Sequence, residues 1–115
     1  MTKRVLCVLM ALLGAIAFAG CGGSDDAVVL VDVRTPEEFT EAHLAGAINV
    51  NWQDVEGFAR WAAAQNPADE FVLYCRTGNR AEEALTFLAS LGFEHVTNVG
   101  SLESAALYTG HNIVP

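Results

Sequence analysis

One cysteine, two arginines and a glycine fall within six consecutive residues, Cys75-Arg76-Thr77-Gly78-Asn79-Arg80. A thiolate is a strong nucleophile, and it forms most readily beside cations and unpaired backbone N–H groups. The stretch before Cys75, Phe71 to Tyr74, is apolar and suited to a strand. Beyond it, Ala81, Ala84, Leu85, Leu88 and Leu91 recur at helical spacing. Cys75 is therefore expected between the C-terminal end of a strand and the start of a helix, where open α/β sheets bind ligands. The helix dipole and successive loop amides favour negative charge there, and Gly78 tolerates the backbone angles that such an anion-binding nest requires. The opposing reading is a small buried hydrophobe, since free cysteine is among the most buried residue types. Arg76 and Arg80 argue for the reactive thiol, because neither has an evident partner beside a purely structural cysteine.

The remaining elements position that loop. Val28-Val29-Leu30-Val31 is a continuous apolar run, as in a strand covered on both faces. Thr35-Pro36-Glu37-Glu38 predicts a helix start, with Thr35 as N-cap, Pro36 in the first turn and Glu38 completing a capping box; the helix ends near Ala42. Ala47 to Val50 predicts a second strand. Asp54 to Gln65 predicts a helix with Val55, Phe58, Trp61 and Ala62 on one face. Trp61 is expected in the core, whereas Trp52 either packs or walls the cysteine pocket. After a helix from Arg80 to Leu91, Gly92 takes the C′ position with Phe93 packed behind it, and Val96 to Val99 predicts the next parallel strand. Strands alternating with helices predict an α/β fold: a small parallel sheet with helices on both faces, in a single domain. Zinc-like Cys/His spacing and a glycine-rich nucleotide fingerprint are both missing, so neither a metal nor an organic cofactor is implied. His95 and His111 are expected at the surface or in caps.

The amino terminus carries different information. Thr2-Lys3-Arg4 is basic, Val5 to Phe18 is apolar, and Ala19-Gly20 supplies small residues before Cys21. This predicts a secretory signal over residues 1–20, its apolar run falling short of the roughly 20 residues that a membrane span needs. Residues 21–27 read as a polar tether and 28–115 as the domain. Phe18-Ala19-Gly20-Cys21 also resembles a bacterial lipobox, in which Cys21 becomes a lipid-modified first residue; a soluble secreted form is the alternative. The expected location is the periplasmic side of a bacterial envelope, held through the lipid alone. Gly22 favours the outer membrane if the cell is Gram-negative. With Cys7 removed and Cys21 acylated, Cys75 is the one free thiol of the mature domain. Loss of Lys3 and Arg4 also leaves four arginines against fourteen acidic residues, a net charge of −10. Such a body excludes nucleic acid as a partner and repels anions at long range.

Three stretches together are similar to a known family. Cys75-Arg76-Thr77-Gly78-Asn79-Arg80 resembles the six-residue active-site loop of rhodanese-type sulfurtransferases. Val31-Asp32-Val33-Arg34 with Pro36-Glu37-Glu38-Phe39 resembles the family's first strand and helix, and Ala42-His43-Leu44-Ala45-Gly46-Ala47-Ile48-Asn49-Val50 its Gly-His-Ile-Pro-Gly-Ala segment. The compact size is most similar to the single-domain periplasmic rhodaneses of the phage-shock type. Cysteine-loop phosphatases place the arginine one residue later, so a smaller cradle is expected here, suited to sulfur.

The resemblance implies that Cys75 attacks the outer sulfur of a small anionic donor such as thiosulfate and carries it as a persulfide to a thiol or protein acceptor. Arg76 and Arg80 would bind the donor's oxygens, and the amides of Thr77, Gly78 and Asn79 would hold the persulfide. It also implies an Arg34–Glu38 pair as an alternative to the capping box, and a structural His43. Ser101 stands where the family commonly has a second glycine. Ala105 or Ala106 falls where larger members have tryptophan. Two rival readings stay open: a catalytically silent docking module on the same scaffold, and a thiol-disulfide or detoxification role for Cys75.

Overall fold

The computed structural model describes residues 27–115. The signal segment, Cys21 and nearly all of the tether lie outside the described residues. Val28–Asp32 forms β1, and the alternation of its side chains sets up two cores, one on each side of the sheet. β1 lies between β3 (Ile48–Asn49) and β4 (Glu70–Cys75), with β5 (Val96–Ser101) beyond β4; all three pairings are parallel. Bonds from Val33 N–H to the Tyr74 carbonyl (3.1 Å) and from Trp52 N–H to the Val33 carbonyl (3.0 Å) carry the pairing past the strand ends towards Cys75.

On one face Val31, Val33, Phe71, Leu73 and Cys75 pack against Phe58 and Ala62 of α2 (Val55–Ala63) and against Ala81, Ala84 and Leu88 of α3 (Asn79–Ser90). On the other, Leu30, Val72 and Tyr74 meet Leu44 together with Leu102 and Ala105 of α4 (Leu102–Thr109). The fold is therefore α/β with helices on both faces, as the pattern predicts. Strands buried on both sides explain why β1 and β4 read as continuous apolar runs.

Local signals place the helix ends. Thr35 caps α1 (Pro36–Glu41): its hydroxyl accepts the Glu38 N–H while Glu38 accepts the Thr35 N–H, the reciprocal box read from the sequence. At the end of α3, Gly92 N–H bonds to the Ala89 carbonyl and Phe93 N–H to the Leu88 carbonyl, with Phe93 buried behind. Trp61 packs against the core as expected.

Several expectations need correction. The second strand shortens to Ile48–Asn49. Val55 is 53% exposed, because it opens α2 before the helix turns its apolar face to the sheet. The sequence pattern did not reveal α4, nor β2 (His43–Leu44), which pairs antiparallel with β6 (Ile113–Val114).

That small second sheet ties the carboxyl terminus to the main one. Leu44 N–H donates to the buried Tyr74 hydroxyl at 2.9 Å, Ala45 N–H to the Asn112 carbonyl at 2.7 Å, and His111 Nδ1 lies 2.8 Å from the Ala45 carbonyl. His43 stacks on Phe39 at 3.8 Å and is structural. Burial pushes the Tyr74 phenol far above its ordinary pKa, so it serves as a neutral acceptor at any physiological pH. Tyr74→Phe leaves the buried Leu44 N–H without a partner and is expected to cost about 1–3 kcal/mol in urea unfolding. A loss below a few tenths would show that β2 is held by other contacts.

Candidate active site

β4 ends at Cys75 and α3 begins at Asn79, so a three-residue loop must reverse from strand to helix. The chain achieves this at Gly78, whose φ of +98° lies in the left-handed region that other residues rarely adopt. That turn brings the Gly78 N–H to 2.9 Å from the Cys75 sulfur. The amides of Thr77 and Asn79, expected to share the contact, make no hydrogen bond to the resting sulfur. No side chain caps α3, and its first-turn N–H groups stay available at the same end.

The neighbouring strand β5 braces the loop. β4 advances two residues from Leu73 to Cys75 while β5 advances three, from Asn98 to Ser101, and Gly100 at φ +91° takes up the extra residue as a bulge. Asn98 donates through Nδ2 to the Gly78 carbonyl at 3.0 Å and to Glu82, and accepts the Gly100 N–H at 2.9 Å. Sequence reasoning missed Asn98. Its one signal was an asparagine inside a β-prone run, where that residue type is depleted.

The arginines divide differently from the expectation. Arg34 pairs with Asp32 rather than with Glu38, through three side-chain bonds of 2.7–3.1 Å, and Nη2 also donates to the Ala42 carbonyl at 2.6 Å. Glu38 instead takes a two-pronged grip on Arg80, at 2.9 and 3.2 Å, across 42 residues of chain. Arg80 is thereby held as a strut between α1 and the loop, with two of its five guanidinium N–H groups given to Glu38. Arg76 remains: its side chain is 76% exposed, with Glu38 at 3.7 Å.

Cys75 itself has no exposed surface, yet with Arg34, Glu41, Arg76, Leu102 and Glu103 it lines a cleft of about 360 Å³ at the C-terminal edge of the sheet. Cys75 thus belongs to the core beneath and also lines the cleft. Trp52 does not wall this cleft. It packs edge-on against Phe58 at 5.0 Å and donates to Glu83 at 2.9 Å. Among the described residues no cluster of His, Cys, Asp or Glu is suited to a metal ion.

This fold, with a cysteine loop closed on a helix amino terminus, defines a class that comparison makes specific. The profile of the Rhodanese-like domain matches residues 22–104, and the chain belongs to that family. It is 32% identical over 77 residues to Thiosulfate sulfurtransferase PspE of Escherichia coli, covering 67% of this chain and 73% of that protein. It is 33% identical over 86 residues to Thiosulfate:glutathione sulfurtransferase of Saccharomyces cerevisiae, covering 66% of this chain and 62% of that one. Among solved structures, a rhodanese with anions from Escherichia coli superposes with a TM-score of 0.64 at 31% identity, over 76% of this chain and 98% of the other.

The Glu38–Arg80 strut has a pH signature. The hydrogen bond from Arg80 is the largest cause that holds the Glu38 carboxyl down, from its ordinary 4.5 to about 2, with desolvation opposing and the Thr35 amide assisting. A depressed carboxyl stabilises the fold fully above its ordinary value and stops doing so as pH falls through the lowered one. Glu38→Gln is expected to lower stability at pH 7 by on the order of 1–2 kcal/mol and to flatten the stability profile between about pH 4.5 and about 2. Parallel profiles of the two proteins in chemical denaturation would remove this pair from the account.

Proposed function

We propose that this chain is a sulfurtransferase of the thiosulfate type, with Cys75 as nucleophile. The observation that carries the reading is the 2.9 Å contact from the Gly78 N–H to the Cys75 sulfur at the end of β4, since a backbone donor aimed at a thiol stabilises its anion and the anion of a persulfide after it. The thiolate attacks the outer sulfur of thiosulfate. A new sulfur–sulfur bond forms on Cys75, the donor's sulfur–sulfur bond breaks, and its electron pair leaves with sulfite. In the second half an acceptor nucleophile takes the outer sulfur and returns the electron pair to Cys75. Cyanide would leave as thiocyanate and a thiolate as its persulfide.

Arg76, exposed at the cleft mouth, meets the donor's oxygens. Gly78 and, once the outer sulfur is in place, Thr77 and Asn79 present N–H groups to the carried sulfur. Arg80 acts as a positioning residue through Glu38. The names of the relatives from Escherichia coli and Saccharomyces cerevisiae support thiosulfate as donor, and the latter supports a thiol as acceptor. The basic and apolar amino terminus followed by Cys21 supports export and a lipid anchor on the periplasmic side of the envelope. Cys21→Ala should then move the protein from the membrane to the soluble fraction; an unchanged distribution would remove the anchor.

Incubation of the domain with thiosulfate, followed by intact-mass measurement, is expected to show a gain of one sulfur that cyanide removes. Cys75→Ser is expected to fold normally and to lose transfer by at least about a thousandfold, because a hydroxyl at neutral pH offers almost no anion for the attack. Wild-type transfer by that variant, or a lasting thiol adduct in place of the added sulfur, would overturn the reading.

A further inference from the structure

The Gly78 carbonyl accepts two hydrogen bonds. One is the first bond of α3, from the Glu82 N–H at 2.9 Å, and the other comes from Asn98 Nδ2 at 3.0 Å. Both of its lone pairs are then used, which fixes its direction. Asn98 is engaged at both ends of its amide: Nδ2 also donates to Glu82 Oε1 at 3.0 Å, and Oδ1 accepts the Gly100 N–H at 2.9 Å. A carboxylate and a carbonyl facing one end and an N–H facing the other leave that amide a single orientation.

Strand geometry accounts for half of this network. The Oδ1 bond closes the Gly100 bulge within β5, and an aspartate or serine could accept there equally well. The Nδ2 bond to Gly78 leaves the strand and spans 20 residues of chain to the cysteine loop. Asparagine is depleted in strands, so the loop contact is what this residue type serves. The two glycines make room for it, packing so closely that a Cβ on Gly78 would meet the Gly100 Cα at 3.4 Å and the Asn98 side-chain amide at 3.9 Å.

A carbonyl does not turn alone. In a planar trans peptide the N–H points opposite the C=O, so the Gly78 carbonyl and the Asn79 N–H move as one unit. With the carbonyl drawn into the helix and onto Asn98, the Asn79 N–H points out of the amino-terminal end of α3, the end at which the Gly78 N–H meets the Cys75 sulfur. No side chain caps that end. Two bonds accepted by the carbonyl also polarise the peptide and strengthen its N–H as a donor. The Gly78 N–H belongs to the preceding peptide plane, whose carbonyl Asn98 does not touch.

Resting on the sulfur-transfer reading above, we infer that Asn98 is a positioning residue for the transfer: it sets the Asn79 amide to receive the outer sulfur of the Cys75 persulfide, and so acts on the loaded state more than on the resting thiol. In loading, the Cys75 thiolate takes the outer sulfur of thiosulfate, the donor's sulfur–sulfur bond breaks, and sulfite leaves with the electron pair. The negative charge on the protein thereby moves one atom outward, and Asn79 supplies the donor that meets it.

The protein and its Asn98→Asp and Asn98→Ala variants are equilibrated with fixed mixtures of thiosulfate and sulfite, and the loaded fraction is read by intact mass. Asn98→Asp keeps an acceptor for the Gly100 N–H and removes the donor to Gly78. Asn98→Ala removes both without placing a charge beside Glu82. The loading constant is expected to fall about tenfold in each, as for the loss of one hydrogen bond to a charged group. The rate at which iodoacetamide alkylates unloaded Cys75 is expected to stay within about twofold, because the Gly78 N–H keeps its place. Wild-type loading in either folded variant, or loading and alkylation that fall by the same factor, overturns the inference while leaving transfer intact. Failure of both variants to fold would do the same, by assigning Asn98 to the fold alone. Wild-type protein that takes up no sulfur overturns the transferase reading and this one with it.

Discussion

A single main-chain contact, from the Gly78 N–H to the Cys75 sulfur, is what the surrounding structure is arranged to hold. A hydrogen bond of this kind exists only while the loop keeps its left-handed turn, and a side chain at Gly78 would be strained there and would press within 3.4 Å of the Gly100 backbone. Three supports converge on it. β4 fixes Cys75 in register with Ser101 of β5, Asn98 holds the Gly78 carbonyl, and Glu38 fastens Arg80 to α1. Each belongs to a different element, so the geometry of the sulfur is a property of the whole sheet edge.

The electrostatic arrangement follows from the same economy. The protein is strongly acidic, yet the thiol sits where backbone dipoles point positive charge at it. Two of the three nearby guanidiniums are consumed in structural pairs: Arg34 is buried on Asp32, and Arg80 is gripped by Glu38. Amides hold their orientation without the entropy cost of ordering a long side chain.

What was readable from the amino acids alone was local. The capping box at Thr35 and Glu38, the stop at Gly92 and Phe93, and the strand–cysteine–helix order at Cys75 each lie within a few residues and obey short-range rules. The misses are long-range or too short to show a period. β2 and β6 have two residues each and meet across some seventy residues of chain. Glu38 faces a nearby Arg34 in sequence but finds Arg80 in space, because Arg34 turns back onto the buried carboxylate of Asp32. Asn98 acts through a bulge, and a bulge is visible only once two strands are paired. The cysteine was thus legible as a candidate, whereas the division of labour among its arginines was not.

The most direct measurement is the amide spectrum of uniformly 15N-labelled protein before and after sulfur is loaded on Cys75. The account predicts that the amide protons of Gly78, Thr77 and Asn79 move downfield together as the carried sulfur takes up their hydrogen bonds, while those of Gly92 and Gly110, remote from the cleft, stay in place. Full loading by mass with no movement of the Gly78 amide would contradict it.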